Sequence, residues 1–89
     1  MVKKIFKYEL KVIAKQTLEL PKDASIFGYL QVQNNLPVLW AVVDATEPIK
    51  TYTIEMRGTG WDFDIEPIDF LGTVQIGGLV WHYFITEIK

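Results

Sequence analysis

The sequence contains no cysteine, one histidine and one serine among its 89 residues. Without thiols the chain can form neither disulfides nor thiolate metal sites, so its apolar core alone must hold the fold. A zinc site needs several imidazole or thiolate ligands, and His82 is a single one. A nucleophile–base pair would have to use Ser25, which lies beside a predicted turn where hydroxyls commonly bond the local backbone. These shortages predict a non-enzymatic protein without a metal or cofactor.

A long apolar run and a secretion signal are also missing. No stretch approaches the ~20 apolar residues of a membrane-spanning helix, and residues 1–8 carry lysines without the apolar segment of a signal peptide. We therefore expect a cytoplasmic protein that does not contact a membrane. Hydrophobic residues make up 49% of the chain and aromatic residues 13%, which indicates a globular core. This content exceeds what a small monomer needs, so we also expect a homo-oligomer.

The formal net charge of −2 conceals an uneven distribution of charge. Six of the nine basic residues lie within the first 22 positions, whereas seven acids lie between Asp44 and Asp69. The spacing of the lysines indicates the solvated face of one strand, although such polarity can also steer a charged partner. An acidic chain with lysines on one strand offers too few phosphate contacts for useful affinity. Nucleic acid is therefore not a predicted partner.

Apolar and polar residues alternate with a period of two through most of the chain, which predicts β-strands. The predicted strands cover residues 5–12, 16–20, 26–33, 38–43, 51–57, 71–76 and 79–88. No segment shows the helical pattern of apolar residues at i, i+3, i+4 and i+7. The sequence therefore predicts an all-β fold, a small antiparallel sandwich or partly open barrel of six to seven strands, in one domain over residues 1–89.

Turn residues predict how some of these strands connect. Asn34–Pro37 indicates a tight connection between the third and fourth strands, and Gly77-Gly78 suits the positive φ angles of a hairpin turn between the last two. Gly28 lies inside its strand and predicts a β-bulge. The fourth strand, 38–43, is apolar on both faces, so we expect it to be the most central.

The segment after the fifth strand is the most informative candidate site. Glycines let backbone N–H groups converge on an anion, arginine offers a planar fork for phosphate or carboxylate, and tryptophan can stack on a base. The alternative is a glycine-rich strand exit whose tryptophan covers the end of the core. Trp40 and His82 are expected to be neighbours of this site if they are exposed. The predicted ligand-binding residues are Arg57, Gly58, Thr59, Gly60, Trp61, Trp40 and His82.

An acidic loop is the second candidate site. Residues 61–70 show no strand period and contain Pro67, so we expect an ordered loop there. Carboxylate oxygens are the ligands that Ca²⁺ and Mg²⁺ require, but the spacing lacks the glycine and final glutamate of an EF-hand loop. Solvated loop acids are the simpler interpretation. The acids in question are Asp62, Asp64, Glu66 and Asp69.

The order of these features resembles a family of small uncharacterised proteins encoded by bacteriophages and prophages. The resemblance spans nearly the whole chain, although members of that family have His and Pro where Trp61 and Asp62 stand here, so a role of that histidine does not carry over. It implies a phage origin and the host cell cytoplasm, but no established activity. The resemblance rests on Lys7–Leu10, Leu18–Pro21, Val32–Asn34, Pro37–Ala41, Val43-Asp44, Gly58–Gly60, Leu71–Gln75 and Leu79–His82.

Three functions stay open on the sequence alone. The first is a phage-encoded, non-enzymatic binding protein, a counter-defence protein that sequesters a small anionic, nucleotide-like ligand or inhibits a host protein. The second is an oligomeric structural or assembly component of phage origin, which draws on the apolar surplus. The third is a metal-dependent hydrolase that uses the acidic loop. Small phage proteins often act on host factors, but fold alone does not decide function.

Overall fold

A computed structural model describes residues 2–89, which form seven β-strands and no helix. Every strand pairing is antiparallel. Within this range no helix is long and apolar enough to cross a membrane. The strands are β1 (Lys4–Glu9), β2 (Lys15–Pro21), β3 (Ser25–Gln33), β4 (Leu36–Val43), β5 (Ile49–Gly58), β6 (Asp69–Ile76) and β7 (Leu79–Ile88).

The strands form two separate sheets that face each other across one apolar interior. One sheet has three strands in the order β1-β4-β3, and the other has four in the order β2-β5-β7-β6. The sheets do not close into a barrel, so the all-β prediction is confirmed in its sandwich form. Both sheets contribute to the buried core, whose members are Leu10, Leu20, Leu30, Leu39, Ala41, Val43, Tyr52, Ile54, Met56, Leu71, Val74, Tyr83 and Ile85.

Both predicted hairpins are present. Asn34 and Asn35 connect β3 to β4 with φ angles of 54° and 61°, and Gly77 and Gly78 connect β6 to β7 with φ angles of 63° and 78°. Two consecutive positive φ angles define the turn whose twist matches that of the flanking strands. The central strand of the three-stranded sheet is β4, which agrees with the prediction made from its two apolar faces. The predicted bulge in β3 is also present, between Phe27 and Gln31.

Some strand bounds differ from the prediction. The first strand ends at Glu9 rather than at residue 12, because the side chain of Gln16 bonds both the N–H and the carbonyl of Lys11 and so takes them out of the ladder. The predicted loop 61–70 is too long by two residues. Its last part is strand because Ile68 N donates to Ile85 O and Asp69 then pairs with β7.

The course of the chain between β5 and β6 positions the candidate site. Both strands are antiparallel to β7, which lies between them, so they run parallel to each other. The segment 59–68 must therefore return the chain along the length of the sheet. It does so over the outer face, where Phe63 contacts Phe84 and Asp64 contacts Arg57.

The two sheets meet most closely where β3 lies beside β6. A Cβ atom at Gly72 of β6 would lie 2.8 Å from the backbone nitrogen of Leu30 in β3. Only glycine fits such an approach, and its φ of 145° is also unfavourable for other residues. We call this line of contact the seam.

Candidate functional site

Arg57 lies near the end of β5, and neighbouring carboxylates and backbone carbonyls accept hydrogen bonds from its guanidinium. Its Nη2 is 2.9 Å from Asp64 and 3.3 Å from Glu55, and its Nε donates to the same Asp64 oxygen at 3.2 Å. The hydrogen bond with Asp64 raises the pKa of Arg57 and lowers the pKa of Asp64, because each holds its partner in the charged form. An anion at this guanidinium would have to displace a carboxylate.

The backbone after Arg57 also has partners within the chain. Thr59 N donates to Val80 O at 3.3 Å, and Trp61 N donates to Gly58 O at 3.1 Å. Gly60 has a φ of 90°, which the tight turn between these two bonds requires. The amides of Thr59 and Trp61 thus close a turn and join β7 instead of converging on a ligand.

Trp61 forms an apolar pocket together with Trp81 of β7. The two rings meet edge to face, with centroids 5.5 Å apart and an interplanar angle of 80°. Gly58 makes this possible, since a Cβ there would lie 2.8 Å from Trp61 Nε1. Trp61 is still 51% exposed. The cavity measures about 270 Å³, and we call it the two-tryptophan pocket; it is lined by Gly58, Thr59, Trp61, Gly78, Leu79, Val80 and Trp81.

His82 lies on the outer face of β7, between two threonine hydroxyls. Its Nε2 is 2.8 Å from Thr59 Oγ1 and its Nδ1 is 2.9 Å from Thr73 Oγ1. Thr59 and His82 have the spacing of a nucleophile and its base. The group behind the imidazole is a neutral hydroxyl, however, which cannot stabilise an imidazolium as a carboxylate does. The arrangement therefore fits a structural cross-strand bridge better than catalysis.

The remaining predicted residues are dispersed. Trp40 pairs with Lys7 and Phe27 in the three-stranded sheet, so the structure does not bring it to the segment that holds Arg57 and Trp61. In the acidic loop, Asp64 pairs with Arg57, and Asp69 Oδ1 accepts from the N–H of Phe70 at 2.9 Å. Among the residues that the structure describes, no three histidine, cysteine or acidic side chains cluster closely enough to hold a metal ion.

A comparison with family models assigns the chain to a group. A model described as "Domain of unknown function (DUF7352)" matches residues 1–89. The chain belongs to this family. No curated protein and no solved structure matches it. The description of DUF7352 specifies no source or activity, so the predicted phage origin and host cytoplasm stay predictions.

In this DUF7352 chain the sequence reasoning missed the apolar partners of Trp61. Gly58 and Trp81 are cross-strand partners, although they lie 23 positions apart in the sequence. The predicted turn at Gly77-Gly78 does place Leu79 at the first position of β7, at the end of the sheet, where its side chain is exposed. No local signal indicates that β7 lies next to β5. The pocket is therefore a product of the strand order.

Proposed function

We propose that this chain is a non-enzymatic binding protein that covers a surface of another protein, with the two-tryptophan pocket receiving an apolar side chain of its partner. On the predicted phage origin, the partner is a host protein. The observation that carries the proposal is the edge-to-face pair of Trp61 and Trp81 beside the exposed Leu79. Trp61 is half exposed in this pocket, and tryptophan is among the residues most enriched at the positions that dominate protein–protein binding energy.

The other form of the binding hypothesis, sequestration of a small anion, has less support. The side chain of Arg57 is only 15% exposed and faces Glu55 and Asp64, so two negative charges already surround it. Binding an anion there would break a charge-assisted hydrogen bond before making a new one. A neighbouring protein needs no free cation at this position, because the pocket is lined mainly by carbon.

Site-specific crosslinking tests the proposal. A photoreactive amino acid at Leu79, which lines the pocket, should give a discrete protein adduct in the producing cell. The same amino acid at Ala45, an exposed position after β4, is the matched control and should give none. Trp61→Ala should abolish the adduct while the folded state persists by circular dichroism. Equal crosslinking at both positions would contradict the proposal, as would a phosphate-bearing molecule retained in native mass spectrometry and lost on Arg57→Ala.

Self-association is a second candidate function, supported by a different surface. The outer face of the three-stranded sheet carries an apolar patch in which Ile5 is 61% and Phe27 44% exposed, next to two partly buried side chains of β4. Exposed apolar patches of this kind mark interaction sites. We call this patch the apolar sheet face; it consists of Ile5, Phe27, Trp40 and Val42.

Sedimentation velocity separates the two candidates. If the apolar sheet face joins copies of the chain, Phe27→Lys should convert an oligomer into a monomer. Leu79→Lys changes the two-tryptophan pocket instead and should leave the sedimentation coefficient unchanged. A strict monomer at high micromolar concentration would remove this second candidate.

A further inference from the structure

Four aromatic rings form a continuous row across the seam between the two sheets. Ring centroids are 5.9 Å apart from Tyr29 to Phe70, 5.4 Å from Phe70 to Phe84, and 5.3 Å from Phe84 to Phe63. The rings come from β3, β6, β7 and the 59–68 segment, and we call them the aromatic row. Phe70 and Phe84 are cross-strand partners, which fixes the middle of the row rigidly.

Most of the aromatic row is open to solvent. Tyr29 is 69% exposed, Phe63 57% and Phe70 43%, so each presents much of its ring. At the seam the row borders a cleft of about 410 Å³, whose lining includes Gly28 and Asp69. Gly28 carries no side chain, and no atom lies within 4 Å of the point where a Cβ would be, so the cleft is open at this position. A ligand can therefore reach both the rings and the carboxylate.

The segment that carries three of the four rings is acidic. Residues 58–88 contain five acids and neither lysine nor arginine. The cations that flank this segment are already paired, Arg57 with Asp64 and Glu55, and Lys89 with Glu87. The carboxylate of Asp69 forms no salt bridge within the described chain, and its Oδ1 accepts only a backbone hydrogen bond. The surface thus combines ring faces, which attract cations, with unpaired negative charge.

We infer that the aromatic row binds an extended, arginine-bearing segment of a partner protein. The inference rests on the proposed function, because it specifies the chemistry of the protein that is bound. Arginine suits the row better than lysine, since its guanidinium is planar, weakly hydrated and able to stack on a ring while it bonds a carboxylate.

The spacing of the rings specifies the arrangement of these arginines. In an extended strand, side chains on one face are about 6.6 Å apart. That distance is close to the 5.3–5.9 Å between successive ring centroids. Neighbouring rings are tilted by 45–73° and Phe84 is partly buried, so the arginines have the three exposed rings to contact. A segment with arginine at alternate positions matches the spacing of the row and can place guanidinium groups against these exposed rings, with one of them reaching Asp69 at the seam.

Peptide titration with ¹⁵N-labelled protein tests the inference. The probe is a nine-residue peptide of alternating arginine and threonine, and its control carries uncharged citrulline at every arginine position. Only the arginine peptide should bind, and it should shift the amide signals around Tyr29, Phe63 and Phe70. Phe70→Leu should weaken binding about two- to fivefold, the equivalent of one exposed cation–π contact. Phe27→Leu, on the apolar sheet face, is the matched control and should leave the affinity unchanged.

The arginine assignment and the proposed function can fail independently. Equal binding of the citrulline peptide, or equal effects of Phe70→Leu and Phe27→Leu, would overturn the arginine assignment. Crosslinking at Leu79 that persists when the peptide fails to bind would leave the proposed function intact and remove this inference alone. Peptide binding without crosslinking at Leu79 would support the aromatic row and remove the two-tryptophan pocket.

Discussion

Replacing Tyr83 by phenylalanine removes a single hydroxyl from the centre of the core. Tyr83 lies in β7 and is completely buried. Its hydroxyl donates to the carbonyl of Lys11 at 3.0 Å, across 72 positions of sequence. Lys11 follows β1, so this bond ties the chain leaving the three-stranded sheet to the four-stranded one. The variant keeps the ring and all its apolar contacts, which isolates the hydrogen bond.

The expected loss is near the lower end of the range for a buried hydrogen bond. A neutral bond contributes a net ~0.5–1.5 kcal/mol, whereas a buried polar group left without a partner costs ~1–3 kcal/mol. The Lys11 carbonyl keeps a partner, because Gln16 Nε2 donates to it at 2.8 Å. Tyr83→Phe should therefore reduce the free energy of unfolding by ~1 kcal/mol. Adding Gln16→Ala removes the second partner of this carbonyl within the chain and should cost more than the sum of the two single changes, by about 0.5 kcal/mol, because water replaces these bonds only in part.

Urea unfolding followed by tryptophan fluorescence measures these differences. The midpoint should fall while the denaturant slope stays constant, and the melting temperature should drop by roughly 4–8 °C for each kcal/mol in a chain of this size. A loss above ~3 kcal/mol, or strict additivity with Gln16→Ala, would refute the account of a shared carbonyl.

The unfolding free energy of Tyr83→Phe should also depend differently on pH in the alkaline range. Burial raises the pKa of Tyr83 to about 12, from 10.0 for a free side chain. The folded state therefore favours the protonated phenol. The resulting stability is fully present below pH 10 and is lost as the pH rises towards 12. Tyr83→Phe lacks this loss, so its unfolding free energy should fall less steeply in that window, and parallel pH profiles would contradict the reasoning.

Three further changes test the seam, the pocket and the turn after β4. Gly72→Ala drives a Cβ to 2.8 Å from the Leu30 backbone, and should lower the unfolding free energy in guanidinium by ~3 kcal/mol; a loss below ~1 kcal/mol would contradict the close approach. Gly58→Ala meets the movable ring of Trp61 instead, so it should change tryptophan fluorescence with a stability loss of only ~1 kcal/mol. Asp44 has its pKa lowered by hydrogen bonds within its turn, so its contribution to stability is present above pH 3.8 and is lost as the pH falls through the lowered pKa. In Asp44→Asn, the free energy of unfolding measured with urea should fall less between pH 6 and pH 2 than it does in the original chain. An unchanged dependence of this free energy on pH would argue against the role of Asp44.

Local pattern predicted most of the fold because its causes are local. A residue pair such as Asn34-Asn35 or Gly77-Gly78 tolerates positive φ angles at little cost, and a turn built on them fixes the register of both flanking strands. Strand ends were less predictable. The end of β1 depends on the Gln16 side chain, which competes with the ladder for the backbone of Lys11.

The position and the chemistry of the candidate ligand site both stay predictions. The segment after β5 does border a pocket, but that pocket is apolar and Arg57 does not line it. The anion-binding role of Arg57 stays a prediction, although its guanidinium is bonded by Asp64. Asp64 lies in a segment without strand periodicity, so the sequence pattern gave no sign of this contact. The aromatic row was not foreseen at all, because its rings come from four different elements.

The sequence by itself determined seven alternating segments and the turns that join adjacent ones. Both depend on backbone sterics and on apolar burial within a few residues of each position. Only the tertiary structure decided that β7 lies between β5 and β6, and that β3 lies beside β6. These contacts depend on how two sheets fill one shared interior, a property of all their side chains together. The pocket and the aromatic row follow from those contacts, which is why no single stretch of the sequence contains them.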